Sequence, residues 1–141
     1  MRLKGKSAII TGGGSGIGRA CTQLFCDEGA QVAINGRRKE RLESTAKEVG
    51  GQILTIAGDL TKKNNLDRVV SETLNEFGKI DIVINNSGVF AGSPVHETKD
   101  EDWDTIMDIN MRCVFQLTKR ILPHMMERKS GTFIHISSIL G

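Results

Sequence analysis

A glycine-rich segment near the start of the chain has the residue types that bind a phosphate. It consists of Thr11, Gly12, Gly13, Gly14, Ser15, Gly16, Ile17 and Gly18, between an apolar strand pattern and an amphipathic helix pattern. Backbone N–H groups and the positive end of the helix dipole can bind a pyrophosphate at such a helix start. We expect Gly12 to permit the tight turn, Gly16 to let a ligand approach the backbone, and Gly18 to let the helix and strand pack closely. The segment predicts a dinucleotide-phosphate site, and a merely flexible turn is the alternative.

The spacing of these glycines distinguishes the segment from two other phosphate-binding motifs. It reads G-x-x-x-G-x-G, whereas the common dinucleotide motif reads G-x-G-x-x-G. Gly13 and Gly18 have the interval of a P-loop, but Arg19 and Ala20 stand where a P-loop needs Lys followed by Ser or Thr. A nucleoside triphosphate site with Mg²⁺ is therefore not predicted.

Two adjacent arginines bear on the choice of dinucleotide. Arg37 and Arg38 follow the second predicted strand, where a carboxylate would accept hydrogen bonds from a free ribose 2′-hydroxyl. Arginine suits a 2′-phosphate instead, and a bound anion would offset the unfavourable position of cations at a helix start. The pair favours NADP(H) over NAD(H). A solvated run of positive charge on a helix surface is the alternative.

The elements that would position these residues follow from the hydrophobic pattern. Short apolar runs rich in β-branched residues alternate with helix-period segments, which is the pattern of βαβ units around a buried parallel sheet. We predict strands at 7–11, 31–35, 52–57, 81–85 and 132–137. Right-handed crossovers order them 3-2-1-4-5. The expected fold is an α/β, Rossmann-type, doubly wound parallel sheet, forming a single dinucleotide-binding domain over residues 1–141.

Helices are predicted between the strands. The patterns over 17–25, 41–49 and 66–77 are each followed by glycine. The first of these helices is expected to bury a stripe formed by Ile17, Ala20, Cys21, Leu24 and Phe25. The longest helix is predicted over about 100–128, with Pro123 kinking or weakening its last turns. Asn110 lies on the apolar face of this helix, where an unpaired amide would cost about 1–3 kcal/mol.

The composition excludes several classes of partner. Lys and Arg number 19 against 17 Asp and Glu, so the formal net charge of +2 gives no broad field for nucleic acid or an anionic membrane. Neither a membrane-length apolar run nor a signal-peptide pattern is found, and the three cysteines lack Cys-x-x-Cys spacing. The histidines have no Cys or carboxylate partners at metal spacing. We expect a cytoplasmic protein with a small-molecule partner and no metal.

Several motifs occur in the order in which one enzyme family has them. Residues 11–18 match T-G-x-x-x-G-I-G, residues 85–88 are similar to N-N-A-G with Ser87 in place of Ala, and Asp59-Leu60 is similar to an adenine-side Asp motif. On these residues the chain resembles the short-chain dehydrogenase/reductase family, and the resemblance covers essentially all 141 residues.

The resemblance implies an NAD(P)-dependent oxidoreductase that transfers hydride between NADP(H) and a carbonyl or alcohol substrate. It puts Asn110 at the family's helical active-site Asn and Ser138 at the serine that hydrogen-bonds the substrate oxygen, while Gly36 stands where NAD-preferring members look acidic. A core amide satisfied by nearby backbone is the alternative for Asn110. The residues expected to bind the cofactor are Thr11, Gly12, Gly14, Ser15, Gly16, Ile17, Gly18, Arg37, Arg38, Asp59, Leu60, Asn86, Ser87 and Gly88.

The sequence contains no tyrosine, although the resemblance implies a Tyr-x-x-x-Lys motif after the serine. In the family that tyrosine is the general acid or base, and the lysine lowers its pKa. We therefore expect this chain alone to be inactive and to represent the cofactor-binding N-terminal part of the fold, without its C-terminal strands, substrate loop and dimer helix. A full-length form is expected to be a homo-oligomer.

Two other interpretations remain open. The chain could be an inactive dinucleotide-binding module that senses or sequesters cofactor. It could instead be an interaction subunit that completes its sheet with another chain, because the strand predicted at 132–137 would have an unprotected edge. Edge-strand association is therefore a further expectation for this chain.

Overall fold

A parallel five-stranded sheet forms the centre of the protein in the computed structural model, which describes residues 1–139. Its order is β3-β2-β1-β4-β5, and every neighbouring pair is parallel. The strands are β1 Ser7–Thr11, β2 Gln31–Gly36, β3 Ile53–Ala57, β4 Ile82–Asn85 and β5 Thr132–His135. The predicted fold class and strand order are confirmed. Individual strands begin or end one or two residues from the predicted bounds.

Five α-helices connect the strands and cover the sheet. They are α1 Gly16–Asp27, α2 Lys39–Val49, α3 Lys63–Phe77, α4 Asp100–Met107 and α5 Cys113–Arg128. A short 3₁₀ turn, Val95–Glu97, precedes α4. Within residues 1–139 none of the helices has the length and apolar content needed to cross a membrane.

The two faces of the sheet have separate apolar cores, because successive side chains of a strand point to opposite faces. Ile9 of β1 packs with residues of α3 and α5, including Val69, Leu117 and Ile121. Ile10, the next residue, packs on the other face with a cluster that includes Leu42 of α2. The central strands β1, β2 and β4 are therefore buried on both faces, as their apolar runs predicted, whereas the edge strand β5 is largely exposed.

The stripe predicted for α1 is partly wrong. Ile17 and Leu24 are 59% and 55% exposed, whereas Gly18 and Thr22 are buried. A side chain at Gly18 would overlap the backbone, because an added Cβ would lie 2.2 Å from the carbonyl oxygen of Gly12. Small residues thus face the sheet and let α1 approach it closely, so Ile17 and Leu24 point to solvent, whereas Cys21 and Phe25 of the predicted stripe pack against the core.

The helix predicted over 100–128 is interrupted, but not at Pro123. A π-helical turn, Asp108–Arg112, separates α4 from α5, and α5 continues through Pro123 to Arg128. The interruption contains Asn110, whose amide forms two hydrogen bonds with the backbone of Val89. A π-helical turn holds one residue more than an α-helical turn, and such turns are frequent where a side chain has a special task.

Candidate functional site

A cleft of about 420 Å³ lies at the edge of the sheet where the strands end. The strand order reverses between β1 and β4, and ligands of open α/β sheets bind at such a switch point. Most of the predicted cofactor residues line the cleft: Gly12, Gly14, Ser15, Gly16, Ile17, Arg37, Arg38, Asp59, Leu60, Asn86, Ser87 and Gly88. Thr11 and Gly18 do not line it and are buried.

Thr11 joins the glycine segment to the segment that follows β4. Its Oγ1 accepts hydrogen bonds from the backbone N–H groups of Asn86 and Ser87, both at 2.9 Å. The amide of Asn86 donates in return to the carbonyl of Thr11 at 3.1 Å. The two segments belong to elements far apart in the chain, and these bonds hold them together as one wall of the cleft.

The glycines of the segment have different surroundings. Gly12 has φ +67°, and a Cβ there would lie 2.9 Å from Nδ2 of Asn86. Gly16 has φ +51°, and no heavy atom lies within 4 Å of the position its Cβ would take. The backbone at Gly16 is therefore open on the side where Gly12 and Gly18 are enclosed. The surroundings of Gly12 and Gly18 agree with a tight turn and with close packing of helix on strand, whereas the approach of a phosphate to Gly16 stays a prediction.

The arginines of the cleft differ from the other arginines of the chain. Six arginines outside the cleft each form an ion pair: Arg2, Arg19, Arg68, Arg112, Arg120 and Arg128. Arg37, Arg38 and Arg41 line the cleft, and none of them pairs with a carboxylate among residues 1–139. The chain has unpaired guanidinium groups at this one place in its described part, so the cleft wall has capacity to bind an anion.

Asp59 also lines the cleft, two residues after β3. Burial would raise the pKa of its carboxyl group, but hydrogen bonds from Thr61 and the charges of Lys62 and Arg37 outweigh burial, so the pKa lies below its ordinary value. Its Oδ1 accepts from the backbone N–H of Thr61 at 2.9 Å and from the hydroxyl at 2.8 Å. Asp59 is therefore a charged acceptor at neutral pH.

Asn35 fixes the ends of β2 and β3 relative to each other. Its buried side chain donates from Nδ2 to the carbonyl of Ile56 at 2.9 Å and to that of Gly58 at 3.2 Å. The backbone N–H of Gly58 also donates to the carbonyl of Gly36 at 2.9 Å. Gly36 and Gly58, which precede Arg37 and Asp59, are thereby held together.

Sequence reasoning missed several residues of the cleft: Asn35, Arg41, Leu42, Gly58, Thr61, Val89, Ile109 and Cys113. Arg41 had one signal in the sequence, since it is a third arginine close after Arg37 and Arg38. Asn35 is a polar residue at the end of an apolar strand, which is also a signal. The remaining residues carry no polar pattern that marks them.

Neither predicted catalytic residue lines this cleft. Oδ1 of Asn110 accepts from the backbone N–H of Val89 at 2.8 Å, and Nδ2 donates to the carbonyl of Val89 at 2.8 Å. The backbone of Val89 thus satisfies the half-buried amide of Asn110. Ser138 is exposed and lies three residues after β5, as Gly88 does after β4, so both follow neighbouring strands at the same edge.

Cys113 forms part of the cleft but is not activated. Burial and the charges of Asp59 and Asp108 raise the pKa of its thiol to about 11, partly offset by Arg112. The thiol is therefore protonated at neutral pH, and a protonated thiol is a poor nucleophile and metal ligand. Within residues 1–139 no group of three or more His, Cys, Asp or Glu side chains could hold a metal ion.

The chain is similar to known proteins over nearly its whole length. A family model described as short chain dehydrogenase matches residues 6–141. A 3-oxoacyl-(acyl-carrier-protein) reductase from Thermotoga maritima is 35% identical over 144 aligned residues, which cover 100% of this chain and 58% of the relative. The chain thus spans a little over half the length of this curated relative.

The chain is also similar to solved structures of short-chain dehydrogenases. One is a short-chain dehydrogenase/reductase of unknown function from Caenorhabditis elegans, crystallised with cofactor. It has a TM-score of 0.92 and 34% identity, and the match covers 99% of this chain and 55% of the C. elegans chain. A metagenomic short-chain oxidoreductase in complex with NADP has a TM-score of 0.92 and 31% identity, with 99% of this chain and 65% of that chain covered.

Proposed function

Because this chain belongs to the short chain dehydrogenase family, we propose that it is the cofactor-binding part of an NADP-dependent oxidoreductase. The reaction would transfer hydride between NADP(H) and a carbonyl or alcohol substrate. The observation that carries the choice of NADP is the set of arginines without carboxylate partners, Arg37, Arg38 and Arg41, on the cleft wall within residues 1–139. The metagenomic neighbour in complex with NADP, at 31% identity, supports the same choice.

The residues of the cleft fit such a cofactor by their chemistry. The backbone N–H groups at the start of α1 suit the pyrophosphate, because they are unsatisfied within the helix and Gly16 is open to a ligand. Asp59 and Leu60 suit the adenine side, and Asn86, Ser87 and Gly88 form the opposite wall. When bound, the nicotinamide would supply or accept the hydride.

The roles of the two predicted catalytic residues follow from their positions. Ser138 would hydrogen-bond the substrate oxygen, because it follows β5 at the cleft edge of the sheet. Asn110 would act indirectly, since its amide is engaged by the backbone of Val89, a residue of the cleft. We infer that Asn110 holds Val89 in place and does not itself contact the substrate.

The proposal also covers the domain organisation, location and assembly of the protein. Residues 1–141 would form a single NAD(P)-binding domain. Cys21, Cys26 and Cys113 are free thiols, which supports a reducing, cytoplasmic location. A full-length form would be a homo-oligomer.

A second candidate is a cofactor-binding module without catalysis. The observation that favours it is the absence of tyrosine from all 141 residues, because the family's proton donor then has no counterpart in this chain. Both candidates require nicotinamide dinucleotide binding, and they differ in turnover.

Titration with NADPH and NADH, followed by nicotinamide fluorescence, tests the cofactor choice. We expect the chain to bind NADPH more tightly. Combining Gly36→Asp with Arg37→Leu should reverse the order, because it supplies an acceptor for the ribose 2′-hydroxyl and removes a phosphate partner. An added Cβ at Gly36 would lie 3.2 Å from Cδ2 of Leu42, so the Asp side chain requires a small shift of this buried side chain. Tighter binding of NADH by the unmodified chain would contradict the proposal.

A further inference from the structure

We propose that Asn35 and Asn65 are positioning residues for the adenine side of the cleft, because their side-chain amides hold the backbone that carries Asp59. The inference rests on the proposed function, in which Asp59 and Leu60 suit the adenine of the cofactor. The two asparagines belong to different elements, since Asn35 lies in β2 and Asn65 in the first turn of α3. They hold the short segment 56–59 from its two sides.

Asn35 holds the side of segment 56–59 that faces β2. Its Nδ2 donates to the carbonyls of Ile56 and Gly58, at 2.9 and 3.2 Å. The residue is 2% exposed, so water has little access to the amide. The backbone carbonyl of Asn35 also accepts from the N–H of Gly13 at 3.1 Å. Asn35 therefore joins the glycine segment to segment 56–59.

Asn65 holds the side of segment 56–59 that faces α3. Its Nδ2 donates to the carbonyl of Asp59 at 2.9 Å. The side chain also packs against the backbone, because a Cβ added at Gly58 would lie 2.7 Å from Cγ of Asn65. The two asparagines together engage three of the four carbonyls of the segment.

Segment 56–59 needs these contacts because it ends an edge strand. In the part of the chain that the structure describes, β3 pairs with β2 alone. Side chains of α3 take the place of a second neighbouring strand, since the remaining carbonyl, that of Ala57, accepts from Arg68 at 3.3 Å. A segment held by side chains on one side should shift when one of the donors is removed.

A shift of segment 56–59 would move Asp59 and Leu60, which line the cleft. Hydrogen bonds weaken steeply as distance and angle depart from their preferred values, so the shift should weaken recognition of the base. A purely structural role of the asparagines predicts something else. Most molecules stay folded when stability falls moderately, and the affinity of the folded molecules would then not change.

Asn35→Leu and Asn65→Leu test the inference, because leucine has a similar size and no donor. The probes are adenosine 5′-diphosphate and inosine 5′-diphosphate, titrated by calorimetry against the 141-residue chain. The two nucleotides share the sugar and the phosphates. Inosine carries an oxygen acceptor where adenine has an amino donor, so it cannot donate there to the carboxylate of Asp59.

Thr73→Val is the matched control, because it removes a buried hydrogen bond outside the cleft. Thr73 belongs to α3, is 0% exposed, and donates from Oγ1 to the carbonyl of Val69 at 2.6 Å. We expect each asparagine variant to lower the preference for the adenosine nucleotide about fivefold or more, since one net hydrogen bond contributes on this scale. Binding of the inosine nucleotide should change little. Thr73→Val should keep the preference while it lowers the midpoint of urea unfolding.

Three results would overturn the inference. An unchanged preference in a folded variant would remove the role of the residue replaced. Equal losses for the two nucleotides would show that the asparagines do not act through the base. The same loss of preference with Thr73→Val would reduce the effect to stability. If Asn35→Leu is unfolded by circular dichroism, Asn65→Leu still decides the outcome, because Asn65 is only half-buried.

Failure of the proposed function would look different. If the unmodified chain binds the adenosine nucleotide no better than the inosine nucleotide, the assignment of the adenine side fails, and this inference fails with it. If the unmodified chain has the preference and both asparagine variants keep it, only the inference fails.

Discussion

Gly16 and Gly18 are two positions apart in the same helical turn, yet their surroundings are opposite. Gly18 is enclosed, because a Cβ there would lie 2.2 Å from the carbonyl oxygen of Gly12 and 2.6 Å from Nδ2 of Asn86. Gly16 is open, and its φ of +51° is the only constraint on a side chain. One glycine therefore serves the packing of α1 on the sheet, and the other serves access to the backbone.

This contrast predicts two different phenotypes for alanine. Gly18→Ala should lower the free energy of unfolding by about 3 kcal/mol or more, because backbone must move to admit the methyl group. Gly16→Ala should cost about 1–2 kcal/mol from left-handed backbone strain and should weaken NADPH binding more than it weakens the fold. Urea unfolding and NADPH titration of both variants provide the test. Equal stability of the two variants would contradict the assignment.

At the residue scale, the sequence predicted those residue roles that depend on spacing between near neighbours in the chain. The roles of Gly12 and Gly18 follow from the turn and the helix start, and the structure agrees with them. Arg41 was missed because its place in the cleft depends on the phase of α2 and on its contact with Gly14, neither of which a motif encodes. The partner of Asn110 also could not be predicted, since Val89 lies 21 residues away in the chain.

A polar network joins β1, β4 and α5 at the end of the sheet opposite the cleft. Asp81 is 3% exposed. Its carboxylate accepts from the backbone of Ser7 at 3.0 Å and from Arg128 at 2.7 Å, and it lies 3.3 Å from Nζ of Lys79. Burial would raise the pKa of Asp81, but the hydrogen bonds from Arg128 and Ser7, with the charge of Lys79, outweigh it and hold the pKa below its ordinary value. The network is therefore built for a charged Asp81.

Asp81→Asn should consequently destabilise the fold in a pH-dependent way. A carboxyl group whose pKa is lower in the folded state stabilises the fold above its unfolded pKa, and this contribution is lost as the pH falls. At pH 7 we expect a loss of about 2–3 kcal/mol, less than for a fully enclosed pair, because Arg128 and Lys79 are partly exposed. The difference from the unmodified chain should shrink below about pH 4.

Urea unfolding at pH 7, 5 and 3.5 measures this difference. Asp67→Asn is the control, because Asp67 pairs with Arg120 at 2.7 Å but is 52% exposed. Exposed pairs contribute about 1 kcal/mol or less, so the control should change little. A loss from Asp81→Asn that stayed constant from pH 7 to 3.5 would exclude the charge of Asp81 as its source.

β5 is the strand most exposed to association. It pairs with β4, and in the described part of the chain no strand pairs with its other edge. Its residues, Thr132, Phe133, Ile134 and His135, are β-prone and carry no formal charge with His neutral. Such an edge is a template for another strand.

We expect His135→Lys to reduce association of the chain. The side chain is exposed and stacks on Phe133 with ring centroids 6.3 Å apart, so a lysine here puts a charge on the strand. It also removes the 3.1 Å contact of Nδ1 with Nδ2 of Asn85, so circular dichroism must first show that the fold is intact. Ser130→Lys adds the same charge just outside the strand and serves as the control. Sedimentation velocity should show less dimer or aggregate for His135→Lys only. The same sedimentation for all three proteins would argue against edge pairing.

At the element scale, the strands were predictable because buried parallel strands are short runs of β-branched residues, and the crossover rule orders them. The helices were predicted less completely. Ile17 and Leu24 were assigned to the buried face of α1 by size, but the close approach at Gly18 excludes large side chains from that contact. The π-helical turn at Asp108–Arg112 depends on a tertiary contact, so no helical period in the sequence could reveal it.

For the whole molecule, a formal net charge of +2 does not show which arginines form ion pairs and which do not. The arginines elsewhere in residues 1–139 are neutralised by ion pairs, whereas Arg37, Arg38 and Arg41 are not. Arginine charge without an ion pair therefore lies on the cleft wall, and such charge raises the association rate of an anionic ligand. This association rate should fall with ionic strength, because salt screens exposed charges.

The chain of 141 residues should nevertheless show no measurable carbonyl reduction or alcohol oxidation with NADPH or NADH. A carbonyl that accepts a hydride also needs a proton on its oxygen, and the chain contains no tyrosine to deliver it. The hydroxyl of Ser138 has no pKa near neutrality to replace it, and proton delivery by a tuned group contributes about 10²–10⁴-fold in rate. Loss of substrate positioning would lower the rate further. A spectrophotometric screen of purified chain against a panel of carbonyls and alcohols, with Ser138→Ala beside it, measures the outcome. Turnover that Ser138→Ala abolishes would refute the prediction and reveal another proton donor at this site, whereas turnover that survives the replacement would identify a contaminating enzyme.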